Sequence, residues 1–333
     1  MYGSPTDFGF LPPQFKGDVQ FFYSNGTTPA SQAWQIWRKP RGLSMVYMIA
    51  IGGGGGGGGG FTGVSGANRG GGGGGGCSGI TSMMMPAIFL PDQLYIFTGN
   101  GGAGGQSAAG TAGSLSYVSL GNGTATAGAT IPNVILASGA AGAGGGTAGG
   151  ASGGGAGGAA GTVTTIAATG PMGKLGFFTA TGTATNNGYV GLIGTAGGAE
   201  IGAVGTSVTN TWNVLPLSPG AGGAGINTAV QLGFAGGGIS LQAQTYGPEV
   251  TYQSLTGGSA GTAGAQGGDG PNGISSYKPF FQTGGGGGGS SDGRPGGIGG
   301  NGGIGCGGGG GGGGSTGGKG GNGGSGLVAM ICW

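Results

Sequence analysis

Catalysis needs acids, bases, nucleophiles or metal ligands at workable spacings, and this chain of 333 residues offers few. Histidine is absent, so neither a Ser-His-Asp nor a Cys-His pair can be assembled, and the commonest metal ligand is missing. The carboxylates Asp7, Asp18, Asp92, Glu200, Glu249, Asp269 and Asp292 stand far apart, with no pair spaced for acid–base work. Gly-Lys occurs in Gly173-Lys174-Leu175 and Gly318-Lys319-Gly320, and neither continues into the Ser or Thr of a phosphate-cradling P-loop. With 104 glycines, matches to G-x-G-x-x-G arise from composition alone. Cys77, Cys306 and Cys332 lack metal-like spacing and read as small buried apolar residues. Cys77 and Cys306 both abut glycine tracts and are candidate neighbours. Asp269, Asp292 and Asn301 have oxygens of the kind Ca²⁺ takes, but not the spacing of a calcium-binding repeat, so turn-forming roles fit better. The sequence therefore argues against an enzyme, a cofactor and a metal site.

Charged residues make up 5% of the chain and the formal net charge is +2. Nucleic-acid recognition needs clustered Lys and Arg. The only such group, Arg38, Lys39 and Arg41, reads as a solvated turn or a subunit-contact patch. No run approaches the ~18 apolar residues that span a bilayer, and no basic region followed by an apolar core opens the chain. A chain with so few charges would be poorly soluble as a free monomer, which points to a part built into an assembly. Glycine loses more conformational freedom on folding than any other residue, so such a chain is either disordered or held by dense main-chain bonding. Its 36% hydrophobic content, gathered into strand-sized groups, favours order.

Two of those groups bracket the glycine. Met45–Ile51 is apolar and runs into nine glycines; Gly326 leads into the apolar Leu327–Trp333. Alternation puts Met45, Tyr47, Ile49 and Ile51 on one face of the first strand and Val46, Met48 and Ala50 on the other. Both faces are apolar, so the strand should be central or covered on both sides. The expected clamp between the two strands comprises Trp37, Pro40, Val46, Ile49, Ile51, Leu327, Val328, Ile331 and Trp333. Between them, Gly-Gly-x spacing places Ile298, Asn301 and Ile304, and again Lys319, Asn322 and Ser325, at every third position. That period matches a left-handed helix of three residues per turn and about 3.1 Å rise, which has no internal hydrogen bonds and must bond to its neighbours. The expected fold is all-β with little or no helix: a β-sandwich-like base carrying packed polyglycine II helices.

Residues 1–31 mix Pro5, Pro12, Pro13 and Pro29 with aromatics that include Phe8, Phe10, Phe15, Phe21, Phe22 and Tyr23, and read as an arm lying on a surface. That surface is either its own body or a neighbouring subunit. Residues 32–159 and 284–333 form the glycine-rich domain. Residues 160–283 read as a β-rich insertion, with Lys174–Thr179, Tyr189–Ile193, Thr206–Leu217, Ala229–Phe234 and Ile239–Tyr246 as short strands.

Trp37-Arg38-Lys39-Pro40-Arg41-Gly42, followed by the Val46 strand and polyglycine, resembles the W-x-x-P-x-G opening of the glycine-rich domain found in tailed-phage virion proteins. Leu90–Gly105 is similar to that family's P-G-x-x-L-x-V-x-V-G-x-G-G segment, with Asp92 where glycine is usual. Val134–Gly139 and Gly320–Trp333 resemble its x-V-x-A-x-G-G and terminal strands. The resemblance covers roughly the first half of the chain and its last fifty residues. It implies a structural virion protein made in the host cytoplasm: a tail fibre, tip or receptor-binding component for host attachment, or else a capsid decoration (cement) protein. The partners it implies are other virion proteins, copies of the same chain, with a trimer expected by analogy, and a host surface glycan or protein. Tyr246, Tyr252 and Tyr277 are candidates for stacking on sugar. An ice-binding protein is a further reading from the regular flat faces that glycine helices expose.

Overall fold

The computed structural model describes residues 17–25, 33–122, 134–138, 145–161, 189–192, 200–201, 204–210, 217–227, 232–241, 254–261, 265–277 and 280–333. Strands form where apolar residues of strand length stand between glycine tracts. They are β1 (Asp18–Tyr23), β2 (Gln35–Arg38), β3 (Met45–Ile51), β4 (Ile80–Pro86), β5 (Gln93–Phe97), β6 (Tyr117–Ser119), β7 (Val134–Ala137) and β8 (Tyr189–Leu192). Short pieces follow at β9 (Glu200–Ile201), β10 (Val204–Gly205), β11 (Val208–Asn210), β12 (Ile239–Leu241), β13 (Ser275–Tyr277) and β14 (Phe280–Gln282), before the closing strand β15 (Leu327–Cys332). The fold is all-β; a three-residue 3-10 turn at Ala87–Phe89 is the only helical piece among the described residues.

Two sheets, ordered β1-β15-β3-β4-β8 and β2-β5-β6-β7, pack face to face. Period-two alternation decides what each strand buries. On β3, Val46, Met48 and Ala50 enter the core, while Met45, Tyr47 and Ile49 are half-buried on the outer face. Met83, Met85, Val328 and Met330 join them from the same sheet and meet Trp37, Leu94, Ile96 and Val118 from the other. The first and last apolar strands are antiparallel neighbours, with Ile51 opposite Leu327 and Val46 opposite Cys332. β1 pairs with the other edge of β15, Phe22 facing Val328, so this stretch of the 1–31 arm lies on its own chain. Residues 1–16 and 26–31 lie outside the described residues. The Pro40–Gly42 turn does not close a hairpin: it carries the chain from β2 in one sheet to β3 in the other, with Gly42 at φ 78°.

Every long glycine tract attached to the sandwich leaves from the same end of it. Ile51, Ile80 and Leu327 are aligned across one sheet, as are Phe97, Tyr117 and Ala137 across the other. At about 3.1 Å per residue, nine residues carry the chain about 28 Å from that end. Tract 52–60 shows how the tracts are joined. Gly53, Gly56 and Gly59 donate to 108–114; Gly54, Gly57 and Gly60 donate to 317–326; Gly55, Gly58 and Phe61 donate to 70–76. Its carbonyls accept from 99–105, 145–150 and 306–314 in the same rotation. An amide that faces the same neighbour every third residue belongs to a chain turning a third of a revolution per residue.

Tracts 306–314 and 284–291 are enclosed in the same way, so the bundle is a hexagonal array in which no side of an interior tract is free. A Cβ placed on Gly57 would overlap the Gly309 carbonyl, and one on Gly310 the Gly72 carbonyl. Unbroken glycine therefore marks the interior, and Gly-Gly-x with exposed x residues, as at Ile298, Asn301, Lys319 and Asn322, marks a tract with one open side, whereas Ala221 and Ala224 are small x residues that stay buried.

The described glycine tracts within residues 160–283 do not stand apart from this array as an insertion would. Segments 218–226, 233–238, 255–261 and 267–273 bond directly into it: Gly310 donates to Ala221, Gly287 to Gly237, Gly258 to Gly287 and Gly289 to Gly268. The reason is that 284–291 and 306–314 need partners on all sides, and the other tracts are too few to supply them. Of the expected strands there, Tyr189–Leu192, Val208–Asn210 and Ile239–Leu241 are strands, and residues 232–234 are not. Residues 174–179, 193, 211–216, 229–231 and 242–246 lie outside the described residues.

The array distinguishes glycines from the residues between them. A Cβ on Gly300 would overlap the Pro271 carbonyl and one on Gly321 the Gly300 carbonyl, whereas Asn301 is exposed. Gly300→Val or Gly321→Val should abolish soluble folded protein, while Asn301→Val should cost no more than about 1.5 kcal/mol in chemical unfolding, the loss of one hydrogen bond. Equal tolerance at all three positions would contradict this packing.

Candidate functional site

The x residues Ala221 and Ala224 donate their N–H to the carbonyls of Gly285 and Gly288. At Ile298, Asn301 and Asn322 the N–H turns outward, where no further tract accepts it, and a side chain of the neighbouring tract does so instead. Asn272 Oδ1 accepts from Asn301 N at 2.8 Å, Asn301 Oδ1 from Asn322 N at 2.8 Å, and Asn322 Oδ1 from Gly104 N at 2.9 Å. One turn along, Asp269 Oδ1 accepts from Ile298 N at 2.8 Å. On other sides of the array Thr111 Oγ1 serves Ala103 N, Thr147 Oγ1 serves Ala156 N, and Gln282 Oε1 serves Ile304 N. The Asn, Asp, Thr and Gln side chains at these positions are thus caps on the array's open edge.

This brings Ile298, Asn301, Lys319, Asn322 and Ser325 onto one exposed facet, while Ile304 turns half-buried against Ile51, Cys77 and Leu327 at the sandwich end. Asp269, Asn272, Ile298, Asn301, Lys319 and Asn322 line a shallow depression of about 300 Å³. Asn272 escaped sequence reasoning, although Gln266, Asp269, Asn272 and Ser275 also stand at spacing three.

At the far end of the array the loop 61–69 is held by an ion pair invisible in the sequence. The Arg69 side chain is fully buried, and its Nη2 donates to Asp292 Oδ1. Ser65 Oγ and the Gly66 amide also donate to Asp292, at 3.0 and 3.4 Å. Burial opposes the Asp292 charge, but the bonds from Arg69 and Ser65, the guanidinium charge and the Gly66 amide outweigh it and hold the carboxyl below its usual range. Neighbouring loops are tied in too: Gln106 donates to Gly317 O at 3.0 Å and Gly317 N to Thr62 Oγ1 at 2.9 Å. Asp269 and Asn301 cap the facet while Asp292 pairs at the tip, so the three do not converge on one point.

In the clamp, Trp37, Val46, Ile51, Leu327 and Val328 are buried, Pro40, Ile49 and Ile331 half-buried, and Trp333 is 39% exposed. The Trp333 carbonyl accepts from Ser44 N and Met45 N at 2.8 and 3.0 Å, closing the strand's end. Cys77 and Cys306 form no disulfide and share a cluster with Ile51, Ile80, Leu217 and Leu327 where tracts meet strands. Burial, with the nearby Cys77, pushes the Cys306 thiol well above its ordinary value. Tyr277 packs edge-on against Phe21 and Phe280, and burial with a Tyr277 hydrogen bond pushes Tyr23 up to about 12. Tyr277 is thus a packing residue in this chain. Tyr246 and Tyr252 lie outside the described residues. The chain matches no protein-family model and no curated protein sequence.

The Arg69–Asp292 pair makes the tip sensitive to acid. Because the folded pKa of Asp292 is depressed, its contribution is complete above the unfolded value of about 3.9 and is lost as pH falls through the lower folded value. Melting curves should show a smaller loss of Tm from pH 5 to pH 2 in Asp292→Asn than in the parent. At pH 7, Asp292→Ala should cost about 3–5 kcal/mol, because it strands a buried guanidinium.

Proposed function

We propose that this chain is a structural protein of a tailed-phage virion, serving as a tail fibre, tip or receptor-binding component. The observation that carries the reading is the array itself: a stiff spacer grown from one end of a sandwich, holding loops 61–69, 106–107, 151–152, 292–294 and 315–316 away from the base. Backbone bonds run from tract to tract along its length, and the Arg69–Asp292 pair ties the loops together at its end. Such a spacer tolerates change in its loops, because interior tracts take their bonding from one another and not from the loops.

The family-like motifs fall on architectural joints, which supports the same reading. Trp37 to polyglycine is β2, the crossover turn, β3 and the first tract; Leu90–Gly105 is β5 entering a tract; Gly320–Trp333 is a tract entering β15. Homo-oligomerisation, as a trimer by analogy, and contact with other virion proteins belong to this proposal.

Capsid decoration is the second reading. It is favoured by the outer face of the larger sheet, where Phe21, Tyr23, Met84 and Trp333 are 40%, 45%, 48% and 39% exposed, a surface suited to lateral packing in a shell. Ice binding has less support, because the exposed hydroxyls of Thr111 and Thr147 are engaged by backbone amides.

Antibody labelling of intact particles, with copy number from quantitative mass spectrometry, tests the proposal. Labelling at the tail with few copies per particle is expected; labelling over the shell with many copies selects decoration, and absence from purified particles overturns both.

A further inference from the structure

We propose that the facet of tracts 267–273, 295–303 and 317–326 is a binding site for a polysaccharide bearing uronate carboxylates. The backbone N–H groups of Asn301, Asn322 and Gly104 can only donate, so the side-chain atoms facing them are the amide oxygens of Asn272, Asn301 and Asn322. Each Nδ2 is thereby turned away from the array, with no hydrogen bond among the described residues. The facet so presents a row of amide donors whose orientation is fixed before any ligand arrives, which lowers the ordering cost of binding.

Around the row stand one cation, one acceptor and one apolar patch. Lys319 is exposed and makes no ion pair among the described residues. Asp269 has one oxygen engaged by Ile298 N and the other free to accept from a hydroxyl. Ile298 is 49% exposed. The floor of the depression is glycine backbone at 270, 299, 320 and 321, where a Cβ would overlap a carbonyl of the next tract, so it cannot fold in on itself.

Hydroxyl and carboxylate oxygens match the amide row, a carboxylate matches Lys319, a hydroxyl proton matches Asp269, and the C–H face of a sugar ring matches Ile298. The pattern recurs along each tract every three residues, about 9 Å, which suits a polymer. An extended peptide is a poorer fit, because the outward N–H groups it would pair with are already capped. One lysine is too few for a nucleic acid. The site goes beyond the virion reading and belongs to the isolated chain, so particle labelling and sugar binding fail separately.

Calorimetry on the full chain with alginate and hyaluronan oligosaccharides, neutral dextran and poly-glutamate tests this. At least one of the two uronate probes should bind saturably, and dextran and poly-glutamate much more weakly. Asn301→Val combined with Lys319→Gln should weaken uronate binding by about tenfold or more, and Thr147→Val on a different facet should leave it unchanged. Lys319→Gln alone, which removes no bond of the array, should weaken binding several-fold and covers the case in which the double variant misfolds. Failure of both uronate probes, equal binding of poly-glutamate, or equal losses in Thr147→Val would overturn the proposal.

Discussion

A chain whose every amide bonds sideways to a different neighbour leaves no room for a Cβ, and the rest of this molecule follows from that. Where a tract is surrounded, glycine is the only residue that fits, and 52–60, 284–289 and 307–314 are unbroken glycine for this reason. Where one side opens to solvent, one residue in three carries a side chain. The net ~0.5–1.5 kcal/mol of a hydrogen bond barely meets the ~1–2 kcal/mol of backbone entropy per ordered residue. An array of this kind needs its ends and edges held by something else.

The sandwich holds one end. Its strands bury Trp37, Met48, Leu94, Val328 and their neighbours, and fix where seven residues of β3 and six of β15 hand over to glycine. At that junction Cys77, Cys306, Ile51 and Leu327 form an apolar plug, and Gly305, at φ 70° and where a Cβ would meet the Ile51 side chain, turns one tract back into the next. The Arg69–Asp292 pair holds the other end. Along the open sides Asn, Asp, Thr and Gln side chains accept the outward amides, so the surface polarity of the array is part of its bonding. The same caps leave the asparagine Nδ2 groups facing solvent, and a structural necessity becomes a recognition surface.

Much of this was legible in the sequence. The pairing of Met45–Ile51 with Leu327–Cys332 could be read from two apolar runs against glycine, and the exposed row of Asn301 and Asn322 from a spacing of three. The sequence concealed which tracts are neighbours, because glycine has no side chain whose pattern could specify a partner. Residues 218–226 and 255–261 therefore read as parts of an insertion in the sequence, whereas their glycines complete the shell around 284–291. Arg69 and Asp292 are separated by more than two hundred residues, and neither has a local pattern that announces the other. Asp269 and Asn272 carried the spacing signal, but Pro271 and the short run masked it.

Hydrogen–deuterium exchange resolved by tract bears most directly on the central claim. If the homoglycine tracts are the bonded interior, amides of 52–60, 284–289 and 307–314 should be protected as strongly as those of β3 and β15, and more than the tip loop 61–69. Exchange of those glycines at the rate of an unstructured linker, with β3 and β15 still protected, would contradict the account.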